Sequence, residues 1–175
     1  MGCGSSTAVT TLTDIDKTLL RESWQEFNEG DIVENGAHMY LRLFSKYPET
    51  KTLFSFNKDE VISEDNYKTN SQFCRHVKKV FVDTLGTAIN GMDDLPALAP
   101  TLKDLGGRHT GYGVTMKHYG ILGQCLVYSL EHKLGSNFTK AKKQAWVNFF
   151  SVIAANMREG MEEQRKREEN EAKPT

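Results

Sequence analysis

Residues 98–109 read LAPTLKDLGGRH. Leu98, Leu102, Leu105 and His109 recur at offsets of four, three and four residues, the spacing of one face of an α-helix. That face is leucine throughout until it meets an imidazole. Residues 73–80, FCRHVKKV, repeat the feature. His76 lies three residues after Phe73 and four before Val80, so it shares their side of a helix. One histidine on an apolar face is most simply a core residue hydrogen-bonded to backbone. Two such histidines, on separate faces, need something to satisfy their ring nitrogens, because a buried polar atom without a partner is costly. A metal between them would do so.

The spacing disfavours zinc. His76 and His109 are 33 residues apart, neither has a cysteine or carboxylate cluster beside it, and H-E-x-x-H is absent. Haem iron asks for less: one or two axial ligands from the protein and a large apolar slot between helices. Phe54, Phe56, Val80, Leu105 and Tyr119 are bulky or branched groups suited to porphyrin contact, and equally suited to an ordinary core.

The rest of the chain is read outward from these two stripes, and it predicts an all-α fold. Thr13 is an N-cap candidate, followed by Ile15, Leu19, Leu20, Trp24 and Phe27 at helical spacing, with Gly30 and Asp31 as a break. Ile32, Gly36, Met39, Tyr40, Leu43, Phe44 and Tyr47 form a second stripe. Pro48 suits the first turn of a short helix ending near Phe54. Residues 55–66 predict a mobile connection, and Phe73 to Ile89 one long helix. Two more stripes follow, Tyr119 to Leu130 and Ala145 to Met161. No alternating strand pattern competes with them. The organisation expected is a flexible arm (1–12), one helical domain (13–161) and a charged helix extension and tail (162–175).

The chain has 175 residues, 22 basic and 23 acidic side chains and a net charge of −1. That balance carries no electrostatic footprint for nucleic acid, so none is expected as a partner. The three cysteines are Cys3, Cys74 and Cys125, with no C-x-x-C pair, which reads as a reducing compartment. Cys125 reads as a core filler, and Cys74 faces a different side of its helix from His76.

These motifs, in this order, resemble the globin family over residues 13–161. Residues 34–44 (ENGAHMYLRLF), Tyr47–Pro48 and Leu53–Phe54 resemble the second and third globin helices. Phe54 stands where a phenylalanine packs on the haem face. FCRHVKKV resembles the distal helix, with His76 as distal histidine and Val80 over the pocket. LGGRHTGYGV (105–114), which includes Val114, resembles the proximal helix and its turn, with His109 as iron ligand. Trp24 and Ala145–Trp146 match positions in the first and last helices.

The likeness is greatest to the neuroglobin and N-terminally acylated globin X groups. It implies haem b (iron protoporphyrin IX), reversible binding of oxygen or other diatomic gases, and both histidines on iron at rest. Tyr40 departs from the phenylalanine usual in those groups, and its hydroxyl can hydrogen-bond a ligand. Lys79 resembles a lysine facing a haem propionate. Redox or ligand sensing is the expected role. Nitrite reductase or nitric oxide dioxygenase chemistry, and plain oxygen carriage or storage, use the same pocket, so the residues do not separate enzyme from binding protein or specify a redox partner.

The chain opens MGCGSS, which fits the M-G-x-x-x-[ST] pattern for myristoylation of Gly2, with Cys3 beside it for a second acyl chain. One myristoyl chain binds membrane only marginally, with a constant of roughly 10⁴ M⁻¹. Lys17 is the only basic residue among the first twenty, so charge cannot supply the second signal and palmitate on Cys3 is left. The location this implies is the cytoplasmic face of the plasma membrane, with membrane lipid as a partner.

Overall fold

The computed structural model describes residues 11–172. Local chemistry starts the first helix, α1 (Asp14–Phe27). Thr13 caps it with a reciprocal pair of bonds: its hydroxyl accepts from the Asp16 N–H, 3.0 Å, and Asp16 accepts from the Thr13 N–H, 3.0 Å. Leu20, Ser23 and Phe27 form its buried line. Ile15 was expected on that face and is instead 73% exposed. Five residues before Leu20 is about 140° round a helix from it, which puts Ile15 on the solvent side.

Gly30, at φ +87°, turns the chain into α2 (Ile32–Lys46), which Asp31 caps. A 3₁₀ turn, Pro48–Leu53, begins on Pro48 as expected. The connection after it is built rather than loose. Ser55–Asn57 is a second 3₁₀ turn. The Asn57 side chain bonds the Lys51 carbonyl and the Ile62 N–H, and Asn66 bonds Val61 and Ser63 in the same way. Ile62 and Tyr67 anchor the segment in the core.

The long helix predicted across Phe73–Ile89 is one rod with three gaits. These are α3 (Ser71–Lys78), a π-helical stretch (Lys79–Gly86) and α4 (Thr87–Gly91). The sequence supplies the reason. Phe73, Val77, Phe81, Leu85 and Ile89 repeat every four residues, and each step overshoots a 3.6-residue turn by about 40°. The wider π turn absorbs that drift, and all five side chains are buried.

Asp94 caps α5 (Leu95–Thr110), Thr115 caps α6 (Met116–Leu134) and Thr139 caps α7 (Lys140–Glu171). Helix α7 packs on α1, α5 and α6, while α2 packs on α3 and α6. Buried polar bonds tie these pairs together. The Trp146 indole N–H donates to Ser23 Oγ, 2.8 Å, and Ser129 Oγ donates to the Asn35 carbonyl, 2.6 Å. Glycine sets the crossing of α2 on the long rod, since a Cβ at Gly36 would come within 2.7 Å of Val77 and Phe81. No strand occurs among the described residues, and no helix there is long and apolar enough to cross a membrane. This is an all-helical arrangement, with the two histidines carried by α3 and α5.

Candidate functional site

Helix α5 delivers His109 in its last turn. The ring Nδ1 donates to the Leu105 carbonyl one turn back, 2.7 Å away. A carbonyl only accepts, so Nδ1 carries the proton and Nε2 keeps its lone pair. Burial holds the imidazole below the usual histidine pKa, against the pull of the Leu105 bond. The neutral ring with a basic Nε2 is the form that binds a metal. The helix end is closed over it by the Val114 N–H, which donates to the His109 carbonyl at 3.4 Å. Tyr112 and Tyr119 flank the ring at 5.7 and 6.2 Å between centroids.

Helix α3 delivers His76 into an aromatic enclosure. Tyr40, Phe56 and Phe54 lie 5.3, 5.4 and 5.5 Å from its ring. Tyr40 comes from α2, Phe54 from the single residue between the two 3₁₀ turns and Phe56 from the second of them. Tyr40 also meets Phe54 and Phe73 edge-on, at 5.7 and 5.6 Å. Burial pushes the His76 pKa down to about 4, helped by the electrostatic influence of His109 and Lys79. His76 is therefore neutral at pH 7. The influence of His109 also means that the two imidazoles are within electrostatic reach of one another.

The residues singled out in the sequence fall into two groups. Tyr40, Phe54 and Phe56 surround His76, while Leu105 and Val114 meet His109 through main-chain hydrogen bonds and Tyr119 meets it through its ring. Val80 is half-buried against the core, and Lys79 is exposed beside the His76 end. Gly2 and Cys3 lie outside the described residues. Sequence reasoning missed the role of Tyr112 as the second ring against His109. Its spacing of three from His109 across the helix end was the available signal. Phe73 was read as core alone, although it backs Tyr40.

Does this set fit haem? The Tyr119 hydroxyl is buried with no hydrogen-bond partner. A buried orphan hydroxyl beside a metal-competent imidazole is what a pocket shaped for a further group displays. The donor set agrees: two neutral imidazoles and aromatic walls. Among the described residues no group of three or more His, Cys, Asp or Glu could hold a metal by protein ligands alone. The residues fit a flat apolar macrocycle carrying its own equatorial donors.

Comparison with known proteins bears on the same point. The sequence profile of the Globin family matches residues 37–157. Neuroglobin of Chaenocephalus aceratus is 34% identical over 149 residues, covering 85% of this chain and 92% of the relative. Neuroglobin of Dissostichus mawsoni matches to the same extent. Among solved structures, a hexacoordinated heme protein from an anhydrobiotic tardigrade is similar with a TM-score of 0.76 at 25% identity, over 90% of this chain and 99% of that one. With a family match that runs through both imidazoles, the chain belongs to the globin family, a family of haem proteins.

Proposed function

We propose that this globin binds haem b with His109 as proximal ligand and His76 as a displaceable distal ligand, and that it takes oxygen or another diatomic gas when His76 withdraws. The observation that supports this most is the pairing of two imidazoles that are both neutral at pH 7, one held in its tautomer by Leu105. The likeness to a hexacoordinated heme protein supports a six-coordinate resting state. When bound, the iron supplies a site for a gas ligand or for one electron.

This chain's own residues do the rest. His109 presents Nε2 and holds its proton on Nδ1. His76 closes the distal side. Phe54 and Phe56 keep water away, and Lys79 stands where it can meet an anionic propionate edge. Burial holds the Tyr40 hydroxyl far above its ordinary pKa, so it remains a hydrogen-bond donor beside His76. The absorption spectrum of the purified ferrous protein tests the reading directly. A low-spin six-coordinate spectrum is expected, and a five-coordinate one overturns the two-histidine state.

Tyr40 gives a second expected result. Tyr40→Phe removes a hydrogen bond worth about 1 kcal/mol, so oxygen should dissociate about fivefold faster. An unchanged off-rate in a stopped-flow displacement experiment would make Tyr40 a core residue only.

The role that fits a gated pocket is redox or ligand sensing. We place it at the cytoplasmic face of the plasma membrane through acyl chains on Gly2 and Cys3, on the strength of MGCGSS and the lack of basic residues near it. In cells with both acyltransferases the chain should pellet with membranes. Gly2→Ala should release it, and Cys3→Ser should leave it partly soluble, because one acyl chain anchors weakly. An unmodified N-terminus by mass spectrometry would remove the membrane role and leave the haem reading intact.

A further inference from the structure

Helix α5 does not merely lie near α7; the two backbones touch. A Cβ added at Gly106 would overlap the carbonyl of Met157, and one added at Gly160 would overlap the carbonyl of Lys103. The contact is reciprocal, with a glycine on each helix seated against main chain three residues away from the other's glycine. It differs in kind from the glycine contacts at Gly36 and Gly123, where a Cβ would meet only side chains. Side-chain ends can turn aside, whereas a helical carbonyl cannot move without its helix. Ion pairs flank the crossing: Lys103 Nζ lies 2.6 Å from Glu159 and 3.5 Å from Glu163.

The crossing sits under the ligand. Gly106 directly follows Leu105, whose carbonyl holds the His109 Nδ1–H, and His109 is one turn further on. Any rise of α5 off α7 must therefore carry His109 and its hydrogen-bond partner together. We propose that the Gly106–Gly160 crossing is a positioning device for His109, with direct backbone seating of α5 on α7 setting the depth at which the imidazole stands in the pocket. Gly106 and Gly160 are positioning residues, and they reach the ligand through α5 alone. The proposal rests on His109 being the iron ligand. A wild-type protein that holds no haem sinks that reading, whereas a haem-bound wild type with indifferent glycine variants sinks only this one.

The test compares Gly106→Ala and Gly160→Ala with two controls. Gly107→Ala places its Cβ 3.5 Å from the Gly160 carbonyl oxygen, an ordinary contact, and Gly120→Ala meets nothing within 4 Å. All four changes replace a helical glycine by alanine and share the same gain in helix propensity. In a His76→Leu background His109 is the sole protein ligand, so the iron–histidine stretching frequency of the ferrous protein reports its position. Both crossing variants should shift that frequency and raise the rate of haem transfer to an excess apoprotein acceptor at least tenfold. Both controls should stay within twofold.

A second arm separates positioning from plain stability. In His109→Gly supplied with imidazole the ligand finds its own depth, so adding Gly160→Ala should change haem loss by less than twofold. An equal loss in that arm, or an unshifted frequency in both crossing variants, overturns the proposal. If neither crossing variant folds, Gly107→Val wedges the same contact from its rim. It must shift the frequency where Gly107→Ala does not, and failure to do so overturns the proposal as well.

Discussion

His109→Ala is expected to purify as a folded protein that is nearly free of haem. The argument starts from what alanine removes. It deletes the Nε2 lone pair that the Leu105 bond keeps available, and it leaves the aromatic enclosure around His76 untouched. Loss of an outer partner to a metal ligand already weakens binding by about 10- to 100-fold. Loss of the ligand itself should exceed that, so haem affinity should fall by more than about a hundredfold. The side chain is only partly buried, so its removal opens a modest gap and the helices should still assemble. The melting temperature should nonetheless drop, because a group that binds only the folded state stabilises it by mass action. Haem titration followed by its absorbance, with thermal unfolding alongside, checks both parts. A variant that keeps full haem affinity would remove His109 from the iron.

The other large effect is expected from His76→Leu. Leucine can occupy much of the space within the rings of Tyr40, Phe54 and Phe56, but it offers no nitrogen. The variant should keep its haem and turn the ferrous spectrum five-coordinate. Carbon monoxide should then bind faster, since a site open only part of the time loses apparent affinity in proportion to its open fraction. If His76 is bound 90–99% of the time, the gain is about 10- to 100-fold. Flash photolysis reads it directly, and equal rates in the two proteins would mean that His76 never closes the site.

Acid gives the same residue a second signature. The folded pKa of His76, about 4, lies below the unfolded value near 6.5. Its contribution to stability is therefore complete above pH 6.5 and is lost as pH falls toward 4. The stability of the haem-free protein should decline across that window, and less steeply in His76→Leu.

Much of this was legible in the chain because helical periodicity is a local property. The stripes marked the helices, and Thr13 and the break at Gly30–Asp31 marked ends that the structure keeps: Thr13 caps α1 and Asp31 caps α2 through their side chains. The two histidines stood out because each interrupts an apolar face. The tautomer of His109 is local too, since its partner is the carbonyl four residues back.

What the chain did not disclose depends on contacts between distant segments. Nothing local marks Lys79–Gly86 as π-helical; the wider turns are chosen because five residues spaced by four must all reach the core. Nor does SFNKDEVISEDN announce itself as ordered, for its asparagines pay off only once Ile62 and Tyr67 are anchored beneath them. Ile15 fits a stripe on paper and faces water because another face of α1 meets α7.

The sequence by itself determined the helices, the cap of the first of them and the two imidazoles on separate faces. Tertiary structure alone decided which rings enclose His76, how far burial and neighbouring charge depress its pKa, and how closely α5 lies on α7. The physical reason is one of range. Propensity, capping and periodicity act within a turn or two of the chain, whereas enclosure, desolvation and the distance between two backbones exist only after remote segments have packed.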